Sequence, residues 1–239
     1  MCEDALQNGP LRRAFLHSTK PWNGSTKSGL DLPVKEEAEA GIVIAATDAA
    51  LKEMLARTAA MHKHLCPRQV LGVRMGLVAA GLFPFELPQK NKRLLAFVET
   101  DGCFADGVSA ATGCTLGHRT MRLVDYGKVA VTFADTETGR AVRLSTLATV
   151  RKLAAASAPE AANRWQAQLA AYQTLPAGQM FRVREVRLNL DLAAVVGAPR
   201  PRLACAACGE EILNQRAVEK DGRTLCMSCA GESYWSAAE

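Results

Sequence analysis

The sequence predicts an α+β protein with a small cysteine-rich module at its C-terminal end, and three observations predict it. Apolar residues recur at helical spacing in two neighbouring stretches, one leading up to residue 62 and one spanning 67–81. Short apolar or alternating runs at 94–98, 121–133, 141–144 and 181–188 have the character of strands. Two Cys-x-x-Cys pairs, Cys205/Cys208 and Cys226/Cys229, stand seventeen residues apart in a tail with few apolar residues.

Composition sets the bounds. Of 239 residues, 49% are hydrophobic, enough to bury a core, while aromatics are 5% and alanine is plentiful, which suits close-packed helices on a sheet. The net charge of +5 is a mild basic bias, compatible with an anionic partner without requiring one. No apolar run approaches the roughly 18 residues that span a membrane. The apolar segment Leu11–Leu16 is too short for a signal core and follows Glu3 and Asp4. A cytoplasmic protein is therefore expected, with its eight cysteines reduced or bound to metal.

Residues 1–40 read as a loosely packed arm, because Gly9-Pro10, the Pro21–Gly29 stretch and Lys35-Glu-Glu break any period. Residues 41–198 form the α+β domain and 199–239 the metal module. Thr47 or Asp48 can cap a helix whose Leu51, Met54, Leu55 and Thr58 share one face. Pro67 opens the second helix, where a proline loses no hydrogen bond. Gly72 and Gly76 fall on one side of it and allow another helix to approach closely. Leu94–Val98 is a buried strand that delivers Glu99 and Asp101 at its C-terminal end, where ligands gather in α/β sheets. A short helix from 104 to 111 follows, stopped by Gly113 and flanked by Cys103 and Cys114. Residues 121–124 and 129–133 read as a hairpin around Asp125–Lys128, and Ala141–Leu144 as a further strand. Helices near 147–156 and 160–173 precede the alternating strand 181–188, and Ala198–Pro201 is a linker.

Two groups of residues carry chemistry. In His62-Lys63-His64-Leu65-Cys66-Pro67, two imidazoles and a thiol fall within five residues, with Cys66 at a helix N-terminus where free N–H groups favour thiolate. The paired Cys-x-x-Cys knuckles have the spacing of a four-thiolate zinc site, with Asp221-Gly222 marking a hairpin turn between them. Four thiolates fill the tetrahedral shell, so this zinc is structural. In so short a segment it supplies much of the folding free energy.

Both central stretches, His62-x-His64-Leu-Cys66-Pro67 with Leu71–Gly76, and Val98–Cys103 through Thr112-Gly-Cys114 to Asp125–Lys128, resemble the signature of the formylmethanofuran dehydrogenase E-subunit family. Phe181–Val186 and the C-terminal knuckles resemble its longer two-domain members. The resemblance implies a thioredoxin-like mixed sheet flanked by helices, plus a small treble-clef zinc finger. It implies a metal site at His64, Cys66 and Cys103, with Cys114 nearby and His62 adjoining. One imidazole and two thiolates would leave a coordination position open, as catalytic or transfer sites do. The chain departs from the family pattern at Lys63 and Arg68, where glycine is usual. Two added cations there favour thiolates or an anionic ligand.

Several functions follow. A metal-binding accessory protein or subunit beside a molybdenum or tungsten enzyme is the first. A stand-alone zinc enzyme is the second, with Cys66, Glu99 and Asp101 as catalytic groups and zinc, the expected second metal, at the His/Cys site. A nucleic-acid or protein-interaction module would use the finger and Arg119, Arg122, Lys128, Arg140, Arg143, Arg151 and Lys152, although these lack interleaved aromatics. A thiol–disulfide oxidoreductase would need Cys103 or Cys114 within reach of Cys66. The alternating strand and apolar helices are compatible with a homodimer.

Overall fold

The computed structural model describes residues 48–197, 202–214 and 216–238. The described residues up to Val196 form one compact unit and those from Gly197 onward a second. The expected arm at 1–40 and the linker at 198–201 lie outside the described residues. The first unit is a mixed α+β layer structure. The element order is α1 (Asp48–His62), α2 (Pro67–Leu82), β1 (Leu94–Val98), α3 (Cys103–Thr112), β2 (Met121–Leu123), β3 (Ala130–Asp135), β4 (Ala141–Thr146), α4 (Val150–Ser157), α5 (Arg164–Thr174), α6 (Ala177–Met180), β5 (Phe181–Val186) and α7 (Leu192–Val196).

The five strands lie in the order β2-β1-β3-β4-β5, with β1 parallel to β2 and every other pair antiparallel. The period of two divides the sheet's apolar residues between its faces. Leu94, Ala96 and Val98, with Val131, Phe133, Val142 and Leu144, share a core with residues of α1 to α5. Leu95, Phe97, Ala134 and Ala141 instead pack against Val186, Leu188, Leu190 and residues of α7.

The hairpin expected from 121–133 is not formed, because β1 lies between β2 and β3. The turn exists, with Gly127 at φ 62° and its N–H on Asp125 Oδ1 at 3.1 Å. It wraps around the end of β1 instead, where the Glu99 carbonyl accepts the N–H groups of Tyr126 (3.0 Å) and Lys128 (3.1 Å). A pattern of alternating runs around a turn cannot distinguish this crossing from a hairpin.

The β3–β4 turn is built on Asp135. Its Oδ1 accepts from the Glu137 N–H at 3.0 Å and from Arg93 Nε at 3.3 Å, and its Oδ2 from the Thr138 hydroxyl at 2.9 Å. Burial alone would raise this carboxyl, but those donors together hold it below its ordinary value. A depressed carboxylate contributes stability that is present above its unfolded pKa and lost as pH falls through its folded one. Asp135→Asn is expected to cost about 1–3 kcal/mol at neutral pH by leaving buried donors poorly matched. The wild-type advantage should shrink as pH falls below the usual carboxylate range, which urea melts at several pH values will read.

Helices α2 and α3 meet at the closest contact in the helical layer. A Cβ on Gly72 would lie 2.3 Å from the Phe104 carbonyl oxygen, and one on Gly107 only 2.2 Å from that of Gln69. The glycines expected to permit helix packing do so, and Gly107 completes the contact from the other side. Arg74 of α2 donates to the carbonyls of Tyr172, Gln173 and Leu175 at 3.2, 2.8 and 2.7 Å, satisfying the C-terminal end of α5.

The second unit contains two two-stranded ribbons. β6 (Leu203–Ala204) pairs with β7 (Glu211–Ile212), and β8 (Val218–Lys220) with β9 (Arg223–Leu225). Asp221 and Gly222 turn the second ribbon with φ of 51° and 69°, the pair of positive values that a tight two-residue hairpin requires. Its apolar centre is small, formed by Cys205, Ile212 and Leu225.

Candidate metal centres

The C-terminal centre is set by the ribbons. Cys205 directly follows β6 and Cys226 directly follows β9, while Cys208 lies on the turn after β6 and Cys229 in the short helical segment Ser228–Glu232 after β9. All four sulfurs fall within 4.8 Å of one another, and Cys208 Sγ is 3.9 Å from Cys226 Sγ. A tetrahedron with Zn–S bonds of about 2.3 Å has edges of about 3.8 Å. Backbone N–H groups point at the sulfurs. Those of Ala207 and Cys226 reach Cys205 Sγ at 3.5 and 3.3 Å, and that of Cys229 reaches Cys226 Sγ at 3.4 Å. Backbone donors at 208, 226 and 207 pull the Cys205 thiol down to about 6, whereas Cys226 and Cys208 push Cys229 up to about 12. One thiolate thus suppresses the next, and a bound divalent cation is what allows all four to ionise. Donor type, number and spacing fit zinc.

The N-terminal cluster is built where three helices begin or end. α1 stops at His62, and Lys63, at φ 62°, reverses the chain. Cys66 then occupies the N-cap of α2 with φ −121° and ψ 156°. Its N–H donates to Gln69 Oε1 at 2.7 Å, and Gln69 Nε2 donates to the Thr58 carbonyl at 2.8 Å and hydroxyl at 3.1 Å. The buried Gln69 therefore fixes the start of α2 against α1. Motif reasoning centred on histidine and cysteine misses it, though a Gln three residues after an N-cap is the second half of a capping box.

Cys103 begins α3 after Gly102, whose φ of 71° takes the chain out of β1. Cys66 and Cys103 thus stand at the starts of two helices whose backbones meet one turn further on, at Gln69 and Gly107. The His62 and His64 rings stand 6.2 Å apart and near perpendicular. His62 Nε2 lies 2.5 Å from Asp106 Oδ2, one turn into α3 from Cys103. The structure therefore brings Cys66 and Cys103 to neighbouring helix starts and ties His62 to α3 through Asp106, with His64 beside His62. Among the described residues, only the finger's four side chains converge as tightly as a closed metal site. Burial raises the Cys103 thiol, and the neighbouring Cys66 adds to this. At Cys103 this outweighs the thiolate-favouring helix terminus.

Cys114 is not part of this group. It follows α3 at the far end, and a ten-residue helix separates its ends by about 15 Å. The thiol is buried, bonds the Leu94 carbonyl at 3.5 Å, and is pushed by burial up to about 11. It is a core thiol, because flanking the same helix places two residues at opposite ends of it.

Glu99 is also not where an exposed acid–base group would be. Only 7% of its side chain is exposed, and Arg143 grips both its oxygens at 2.6 and 2.7 Å. The bond to Glu99 in turn raises Arg143. This commits Glu99 to an ion pair rather than to proton transfer, and it removes Arg143 from any free basic footprint. Arg140 is likewise taken up by Glu185. Asp101 is exposed. Among the described residues no helix is long and apolar enough to cross a membrane.

A mixed sheet under a helical layer that bears a His/Cys cluster, followed by a four-cysteine zinc finger, defines the class of protein. Residues 61–182, more than half the chain, match the family model described as "FmdE, Molybdenum formylmethanofuran dehydrogenase operon". The chain belongs to this family. Residues 199–234 match the "Prokaryotic dksA/traR C4-type zinc finger" model. A protein from Syntrophus aciditrophicus described as a "tungsten formylmethanofuran dehydrogenase subunit e (fmde)-like protein" shares the fold, with a TM-score of 0.52 and 22% identity over 78% of this chain and 95% of that one. An Archaeoglobus fulgidus protein named "Probable S-adenosyl-L-methionine-binding protein" is 31% identical over 77% of this chain. The chain spans about half the length of that curated relative, 54%.

Proposed function

We propose that this protein is a metal-binding accessory protein that carries zinc structurally in its finger and holds a second metal, zinc by preference, at His64, Cys66 and Cys103. His62, oriented by Asp106, stands beside that site. The observation that supports this best is the meeting of Cys66 and Cys103 at two helix N-termini, with both imidazoles delivered by the end of α1. A bound divalent cation there would stabilise both thiolates and, with one imidazole, leave a position for a ligand or for transfer. Family membership supports service beside a molybdenum or tungsten oxidoreductase, as metal carrier or as a component of the complex. A stand-alone zinc enzyme is the weaker reading, because Glu99 is occupied by Arg143.

Elemental analysis of the full chain, loaded anaerobically with zinc and desalted, tests the site. Two zinc ions per chain are expected, with one left after joint Cys66→Ser and Cys103→Ser substitution and one left after Cys208→Ser with Cys226→Ser. A wild-type value of one, lost only with the finger cysteines, would overturn the second site.

A further inference from the structure

We propose that Cys66 and Cys103 form a reversible disulfide, which makes the N-terminal site one that oxidation closes to metal and reduction reopens. The proposal deepens the reading above and rests on it only for the metal that is displaced.

Geometry singles out this pair. The two cysteines are 37 residues apart in the sequence yet stand at the starts of two helices whose backbones meet one turn further on, at Gln69 and Gly107. Their alignment is rigid behind and compliant in front. Behind them, α2 and α3 are locked along their length, since the Gly72 and Gly107 contacts leave no room even for a methyl group. In front, each cysteine is preceded by a chain reversal, Lys63 at φ 62° three residues before Cys66 and Gly102 at φ 71° immediately before Cys103. Space around Gly102 is open, with nothing within 4 Å of where a Cβ would lie. The final approach to an S–S bond of about 2.05 Å thus falls on two loop ends rather than on packed helices.

Accessibility assigns the order of events. Cys103 is partly exposed, whereas Cys66 is buried, with 8% of its surface exposed. A peroxide reaches Cys103 first. The Cys103 sulfur attacks one peroxide oxygen, the O–O bond breaks, and water leaves, which gives a sulfenic acid at Cys103. Cys66 then attacks that sulfur; the S–S bond forms and the S–O bond breaks, with release of a second water. Two thiols lose two electrons and two protons, and the peroxide is reduced to two waters. A divalent metal held by both sulfurs departs with its charge unchanged. A dithiol reductant reverses the S–S bond by exchange. Cys114 does not compete, being buried at the other end of α3 with its thiol on the Leu94 carbonyl.

The test treats the full chain, with and without prior zinc loading, with hydrogen peroxide and then with dithiothreitol. Free thiols are blocked and peptides mapped by mass spectrometry without reduction. The expected result is a cross-linked pair of peptides carrying Cys66 and Cys103, short of two hydrogens and restored by dithiothreitol. In Cys66→Ser, Cys103 should accumulate as sulfinic acid because no resolving thiol is at hand. Serine is a favoured N-cap residue, so this variant keeps the start of α2. Absence of the cross-link while Cys103 oxidises in the wild type, or a cross-link from Cys66 to another cysteine, would overturn the proposal. A Cys66–Cys103 cross-link in a protein that never takes a second zinc would uphold the thiol pair and defeat the metal reading instead.

Discussion

Removing zinc from the finger is expected to unfold residues 202–238 while leaving the sheet and helices of the first unit intact. The apolar centre of the finger is formed by Cys205, Ile212 and Leu225, too little to offset chain entropy in a segment of this length. The metal makes up the difference. Structural zinc in comparable small modules contributes about 10–16 kcal/mol of apparent binding free energy at neutral pH. Cys208→Ser, or exposure to a strong chelator, should abolish amide protection in β6 to β9 and leave that of β1 to β5 unchanged. Hydrogen exchange read by mass spectrometry separates the two regions. Persistent protection around Asp221 and Gly222 without metal would show that the ribbons hold themselves.

Gly107→Ala should have the second-largest effect, because it acts on stability and on the site together. The added methyl meets backbone, the Gln69 carbonyl oxygen at 2.2 Å and its carbon at 3.0 Å, so no side chain can turn aside to accommodate it. The helices must separate, at a cost of about 1–3 kcal/mol or more. Gln69 holds the N-cap of Cys66, and the displaced carbonyl belongs to that same residue. We expect zinc affinity at the N-terminal site to drop about 10–100-fold, as when the supporting contacts of a metal ligand are lost. Gly178→Ala is the control, since nothing lies within 4 Å of its Cβ position. It should change stability by less than about 1 kcal/mol. Calorimetry and zinc titration of both variants will decide whether the glycine contact governs the site.

The parts of this protein written in local pattern are readable without coordinates. Leu51, Met54, Leu55 and Thr58 do form the inward face of α1, Pro67 does open α2, and the Asp221-Gly222 turn stands between the knuckles. The four finger cysteines are legible because ligand spacing within a knuckle is a local property. What is illegible depends on partners far apart in the chain. Nothing near Glu99 announces that Arg143, 44 residues on, will occupy it. Cys114 looks equivalent to Cys103 because both flank α3, and only the length of the helix separates their fates. The pairing of β2 with β1 rather than with β3 is hidden for the same reason, since the Asp125–Lys128 turn is equally good at reversing a strand and at crossing one.

The outer position of β5 in the sheet carries one more consequence. Arg182 and Arg184 are exposed on it, two residues apart and therefore on the same side. Two copies that joined their sheets along this edge about a twofold axis would have to pair residues of like orientation. Centred on Val183, that register opposes each copy's Arg182 to the other's Arg184; centred on Arg184, it opposes the two Arg184 side chains. Like charges directly across a ladder repel, and natural sheets use such residues to keep open edges from growing. Charge therefore disfavours both of these registers, and the strand is a terminus of the sheet by charge as well as by order.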